Sequence, residues 1–178
     1  MSVARHKGSA PSAGALLASG PLVRMIVSPG GPLAAAMRAR GLDVPSETVH
    51  MMVDTGADGT MLHVDVATRL GLIPTGWLML GGVNPGQRRS PVFPMTLQLA
   101  TATDSGHLFN VTFGTDVVGI AAPPKPGTHG LLGRDFLSHV RFVYDGPEHR
   151  WEIADHRAPP APSGRPGSKA RRKGRKSR

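Results

Sequence analysis

The chain has 178 residues, 39% of them hydrophobic and none of them cysteine, which is enough for one domain with a sizeable core and excludes disulfides, thiol nucleophiles and cysteine metal sites. Its net charge of +9 is unevenly spread: eight of the 21 Lys and Arg residues fall in 163–178, leaving 13 basic against 12 acidic residues ahead of them. The basicity therefore belongs to a tail. It reads either as a solvated terminus or as an anchor for nucleic acid or another polyanion, though it carries no aromatic side chain for base stacking.

The eight histidines include no pair at helical i, i+4 spacing with an acid between them, so neither a metal nor a cofactor is expected. The least polar N-terminal stretch, Ala13 to Val27, is interrupted by Gly20, Pro21 and Arg24 and falls short of the ~20 apolar residues of a membrane span. It is also too broken for a secretory signal. These features point to a cytoplasmic protein with no membrane partner.

In chain order, residues 1–20 are rich in Ser, Ala and Gly and read as a flexible arm. Leu22 to Val27 is a predicted strand ended by Ser28-Pro29-Gly30-Gly31, and Leu33 to Arg40 a short helix before Gly41. A second strand runs from about Thr48 into Asp54. Asp65 to Leu70 reads as a helix closed by Gly71. Trp77 to Leu80 and the stretch after Arg88 form the arms of a hairpin, for which Asn84-Pro85-Gly86-Gln87 has the residues of a type II turn.

Met95, Leu97 and Leu99 alternate with polar residues, as do Phe109, Val111 and Phe113, so two half-buried strands follow. Residues 115–129 hold Pro123, Pro124 and Pro126 and read as a loop. Phe136 to Val140 is a predicted helix, and Arg141 to Asp145 with Arg150 to Ile153 a terminal hairpin. Short strands, few helices and frequent Gly/Pro turns together indicate a mostly β fold, closed or partly closed into a barrel. The domain is expected to cover 21–157, with 158–178 a Pro/Gly-rich and then basic tail.

The stretch that speaks to chemistry is Val53-Asp54-Thr55-Gly56-Ala57-Asp58. An apolar strand delivers a carboxylate at its end, and a glycine two residues on permits a sharp turn behind it. One such acid is half of a water-activating pair, because one carboxyl group must take a proton from water while another protonates the carbonyl oxygen. The alternative for Asp54 alone is a turn acid that accepts from backbone amides.

Three separated pieces give the chain its resemblance to the retropepsin-like aspartic proteases, the retroviral type and its small bacterial relatives. They are the Asp54 triplet, the hairpin near 77–93 where that family has its flap, and Gly130-Leu131-Leu132-Gly133-Arg134-Asp135-Phe136-Leu137. The resemblance spans Leu22 to Ile153. It implies a β-barrel with one lobe per chain, active as a homodimer in which two copies of Asp54 cut a protein or peptide substrate. Thr55, Gly56 and Ala57 would support the catalytic loop, Asp58 and Arg134 would pair behind it, and Gly81, Gly82 and Gly86 would belong to the flap.

Arg88 and Arg89 near the flap arm read first as ordinary surface charge, and in the alternative as groups that bias the substrate toward acidic residues. The other reading of the whole is a non-catalytic retropepsin-like module that binds peptides or dimerises, with a nucleic-acid-binding tail. Asp104-Ser105-Gly106 imitates a second triplet, but it lacks a strongly apolar lead-in and reads as a hairpin turn. Leu33 to Ser46 is long and rich in Ala and Arg for the family, and the terminal hairpin need not form the dimer sheet of retroviral members.

Overall fold

Alternation of large apolar residues with polar ones builds most of the structure, a computed structural model that describes residues 5–81, 88–102 and 108–155. Ten strands and four helices follow in the order β1 (Arg5–Ser9), α1 (Ala13–Ser19), β2 (Leu22–Pro29), α2 (Gly31–Ala39), β3 (Glu47–Val53), β4 (Met61–His63), α3 (Val64–Arg69), β5 (Gly76–Leu80), β6 (Arg88–Ala102), β7 (Leu108–Ile120), β8 (Gly130–Leu132), α4 (Arg134–Leu137), β9 (Val140–Asp145) and β10 (Arg150–Asp155). The mostly β fold with short helices expected from the sequence is the fold observed.

Strand pairing closes a ring. The order β2-β3-β8-β4-β7-β6-β5 gains a further pairing of β2 with β6, so six strands form a barrel and β5 hangs outside it on β6. The inward positions are the alternating apolar ones: Val23, Met25 and Val27 from β2, Val49, Met51 and Val53 from β3, and Met95, Leu97 and Leu99 from β6. Burying each such side chain is worth about 1.5–3 kcal/mol. Phe136 of α4 is completely buried in the same cluster and meets Phe113 edge to face at 6.1 Å. Inside α3, Val66 and Ala67 complete the floor, and Gly71 follows that helix with φ +68°, the left-handed closing residue its position predicts.

A second sheet of three strands, β1-β10-β9, flanks the barrel. The stretch read as a flexible arm contributes to it: Arg5–Ser9 pairs antiparallel with β10, Gly8 facing Trp151. Only glycine fits there, since a Cβ on residue 8 would lie 2.2 Å from the indole. Helix α1 is capped by Ser12, whose Oγ accepts from the Ala15 amide at 3.1 Å, and it buries Leu16. Weak local propensity hid this segment in the sequence, because what orders it is a partner strand at the other end of the chain. Burial holds the imidazole of His6 in β1 below its ordinary pKa.

Two other boundaries differ from expectation. The segment read as a loop from 115 continues β7 to Ile120, paired with β6 as far as Val118 and with β4 from Val118 to Ile120, and these ladders outweigh the poor strand propensity of Gly114 and Gly119. The last helix occupies Arg134–Leu137, earlier than expected, and Val140 already belongs to β9. The Asn84 to Gln87 turn, Gly82 and Gly86 of the flap, Asp104-Ser105-Gly106 and the basic tail lie outside the described residues. Among the described residues, no helix is long and apolar enough to cross a membrane.

Candidate active site

Asp54 stands one residue beyond β3, where the strand leaves the barrel. Its amide donates to the Leu132 carbonyl at 3.0 Å, and this extends the parallel pairing of β3 with β8, in which Val53 faces Leu132. The strand after the proline-rich loop is thus what fixes the acid. The backbone then turns over Thr55 and Gly56, both exposed, while Asp54 is half-buried. Asp54 Oδ1 accepts from the Gly56 amide at 2.8 Å.

Gly56 takes no left-handed conformation. Its use is close approach, since a Cβ there would sit 3.2 Å from Asp54 Oδ1. Among the described residues none donates to Oδ2, so one oxygen of the carboxylate is fixed and the other is available.

The short helix α4 clamps this loop from behind. The amide of Arg134 donates to the Ala57 carbonyl at 2.9 Å and that of Asp135 to the Asp58 carbonyl at 3.3 Å, which satisfies two amides that a helix start leaves without partners. The Arg134 guanidinium donates to the carbonyls of Thr55 at 3.1 Å and Gly56 at 3.3 Å and forms an ion pair with Asp58. At 90% exposure of the Asp58 side chain, that pair contributes little Coulomb energy; the backbone contacts of the planar guanidinium are what hold the loop.

Beneath lies a polar knot that sequence spacing did not reveal. Thr60 is completely buried. Its amide donates to Asp135 Oδ2 at 3.0 Å and its hydroxyl to Asp135 Oδ1 at 2.8 Å, while the same hydroxyl accepts from the Gly133 amide at 3.2 Å. Asp135 Oδ1 also accepts from the Phe136 amide at 2.8 Å. The two loops meet backbone to backbone, because a Cβ at Gly133 would fall 2.5 Å from the carbonyl of Gly59. The Gly59-Thr60 and Gly133-Arg134-Asp135 pairs carry the signal in hindsight, small residues and a short acid at the points of contact.

Beside the triplet loop a cavity of about 780 Å³ opens between β5, the start of β6, and the chain after β7. Met61, Val64, Leu80, Ile120 and Leu131 form its apolar walls, and Arg88 and Gly81 stand on the hairpin side. Its far wall is held by His63, whose ring lies 3.1 Å from the Ala121 carbonyl through Nε2. With the Asp65 amide donating to Nδ1 at 3.4 Å, Nε2 carries the proton and donates. No local sequence pattern singles out His63 for this place. Asp54 does not line the cavity but is adjacent to it, since its amide is bound to the residue following Leu131. Among the described residues, no group of three His, Cys, Asp or Glu side chains could hold a metal ion.

The structure therefore brings Asp54, Thr55, Gly56, Ala57, Asp58 and Arg134 into one loop-and-helix unit and places Gly81 on the lining of the neighbouring cavity. The crystal structure of a retropepsin-like aspartic protease from Rickettsia conorii is similar at 14% identity, with 87% of this chain and 95% of that chain covered and a TM-score of 0.44. No curated protein matches. A family model described as aspartyl protease matches residues 41–136, from ahead of β3 to the buried phenylalanine of α4. With the Asp54 triplet and its clamp both inside that span, the chain belongs to the aspartyl protease family.

Proposed function

We propose that the protein is an aspartic endopeptidase in which two copies of the chain each supply one Asp54. The observation that carries this reading is the carboxylate itself, held at one oxygen by Gly56 and presented on an exposed loop. The neighbouring acids are committed elsewhere: Asp58 to Arg134, and Asp135 to Thr60 and Phe136. Neither is placed to act as the second carboxyl group, which supports a partner copy as its source. The outer edge of β9 has no strand beside it among the described residues and exposes Val143 and Tyr144. An unpaired apolar edge of this kind favours pairing between chains.

Two carboxyl groups facing each other across a twofold axis share one proton over a range of pH, as aspartic-protease dyads do. The ionised member takes a proton from a bound water as the water oxygen bonds to the carbonyl carbon, and the protonated member donates to the carbonyl oxygen. The tetrahedral intermediate collapses with protonation of the amine, and the peptide bond breaks. Thr55 steadies its counterpart across the axis, and the hairpin carrying Gly81 covers the substrate and excludes water.

The test is cleavage of a diverse peptide library between mildly acidic and neutral pH, with products identified by mass spectrometry. Asp54→Asn should lower turnover at least about a hundredfold while circular dichroism and sedimentation remain those of the wild type. A variant that lost its dimer, or one that cleaved as well as the parent, would overturn the assignment.

A further inference from the structure

The cavity beside the triplet loop is apolar on most sides, and its charge comes from the hairpin. Directly opposite residues on paired strands share a face, and Arg88 is paired directly with Leu80. Both line the cavity. Arg89 is paired with Met79 on the other face of the same ladder, and its guanidinium lies over the Trp77 ring at 4.8 Å from the centroid. Trp77 takes no part in the cavity. Both arginines border the cavity, but the Arg89 guanidinium is engaged by the Trp77 ring and that of Arg88 is not.

Among the described residues Arg88 has no ion-pair or hydrogen-bond partner, and no Asp or Glu lines the cavity. A guanidinium at the mouth of an apolar chamber, with no internal carboxylate to meet it, is electrostatically complementary to a carboxylate brought by the ligand. The volume of about 780 Å³ lies within the range of small-molecule and peptide side-chain sites and exceeds what one side chain fills.

We infer that Arg88 is a specificity-determining residue, selecting peptide substrates that carry Asp or Glu at a position whose neighbours fill the apolar walls with aliphatic or aromatic side chains. The inference rests on the peptidase reading for its substrate class and goes beyond it by naming which residue chooses among peptides. Arg89 also borders the cavity, but with its guanidinium stacked on Trp77 it is not the arginine that chooses.

Binding and cutting are measured separately so that the two readings can fail independently. The Asp54→Asn chain is immobilised and exposed to a random peptide library, and the retained peptides are sequenced by mass spectrometry; the chains with Asp54 intact are assayed for cleavage of the same library. Retained peptides should be enriched in Asp or Glu at one position by about threefold to tenfold, the range expected for one partly exposed charge-assisted contact. Adding Arg88→Gln should erase that enrichment, Arg88→Glu should replace it with Lys and Arg, and Arg89→Gln should leave it intact. The apolar preference at flanking positions should persist in all of them.

Enrichment that is absent in the parent, or unchanged in both Arg88 variants, overturns the inference, as does failure to retain any peptide. Acid-selective retention without cleavage by the wild type would uphold the role of Arg88 and sink the peptidase. Cleavage without acid preference would do the reverse.

Discussion

The β5–β6 hairpin lines the cavity and the triplet loop runs up to it at Met61, and the two are held in opposite ways. The loop from Asp54 to Thr60 is partly exposed, yet it is fixed to Gly133-Arg134-Asp135 by backbone amides, a guanidinium and a buried threonine. The hairpin's outer strand, β5, has a single ladder to β6 and leaves Trp77, Leu78 and Met79 about half exposed. Exposure alone is thus a poor guide to rigidity. A reactive carboxylate has to stay where it is put, and many short contacts achieve that without burying it. A strand with one neighbour opens at low cost, which suits an element that must let a substrate in.

Substitutions that strike the clamp should therefore cost far more than those on the hairpin. Gly133→Ala drives a methyl group into the Gly59 carbonyl at 2.5 Å, with backbone on both sides and no side chain free to yield. It should destabilise the fold by about 3 kcal/mol, read from the shift of a urea unfolding curve. A near-neutral result would mean that the two loops are not in backbone contact.

Thr60→Val keeps the shape and removes the hydroxyl, leaving the Gly133 amide without its acceptor and Asp135 without one donor. A loss of about 1–3 kcal/mol is expected, and Thr60→Ser should recover most of it. If both variants matched the parent, the polar knot would be incidental to the clamp. At the hairpin, Trp77→Ala removes a half-exposed ring and its contact with Arg89. Its effect on stability should stay below about 1 kcal/mol. An effect as large as that of Thr60→Val would erase the contrast between the two regions.

The acid, its triplet and the Gly-Arg-Asp helix start were legible in the sequence because each is a local pattern: an apolar run, a carboxylate, then small residues. The same holds for β2, β3, β6 and the terminal hairpin, where alternation shows which face is buried. Asp135 was visible only as part of a motif, while its bond to Thr60 crosses 75 residues and leaves no periodic trace. β4 is three residues long, too short for any pattern, and exists because β7 and β8 flank it.

Residues 5–9 illustrate the same limit from the other side. Nothing in Arg-His-Lys-Gly-Ser favours a strand by itself, and Trp151 supplies the surface against which Gly8 lies. The sequence by itself determined the class of fold, the candidate acid and the absence of cysteine chemistry, since composition and short-range order suffice for these. Tertiary structure alone decided which arginine is stacked on Trp77 and which is left unengaged, which acids are already spoken for, and how a partly exposed loop is held. Those outcomes depend on contacts between residues far apart in the chain, and only the closed barrel brings such residues within hydrogen-bonding distance.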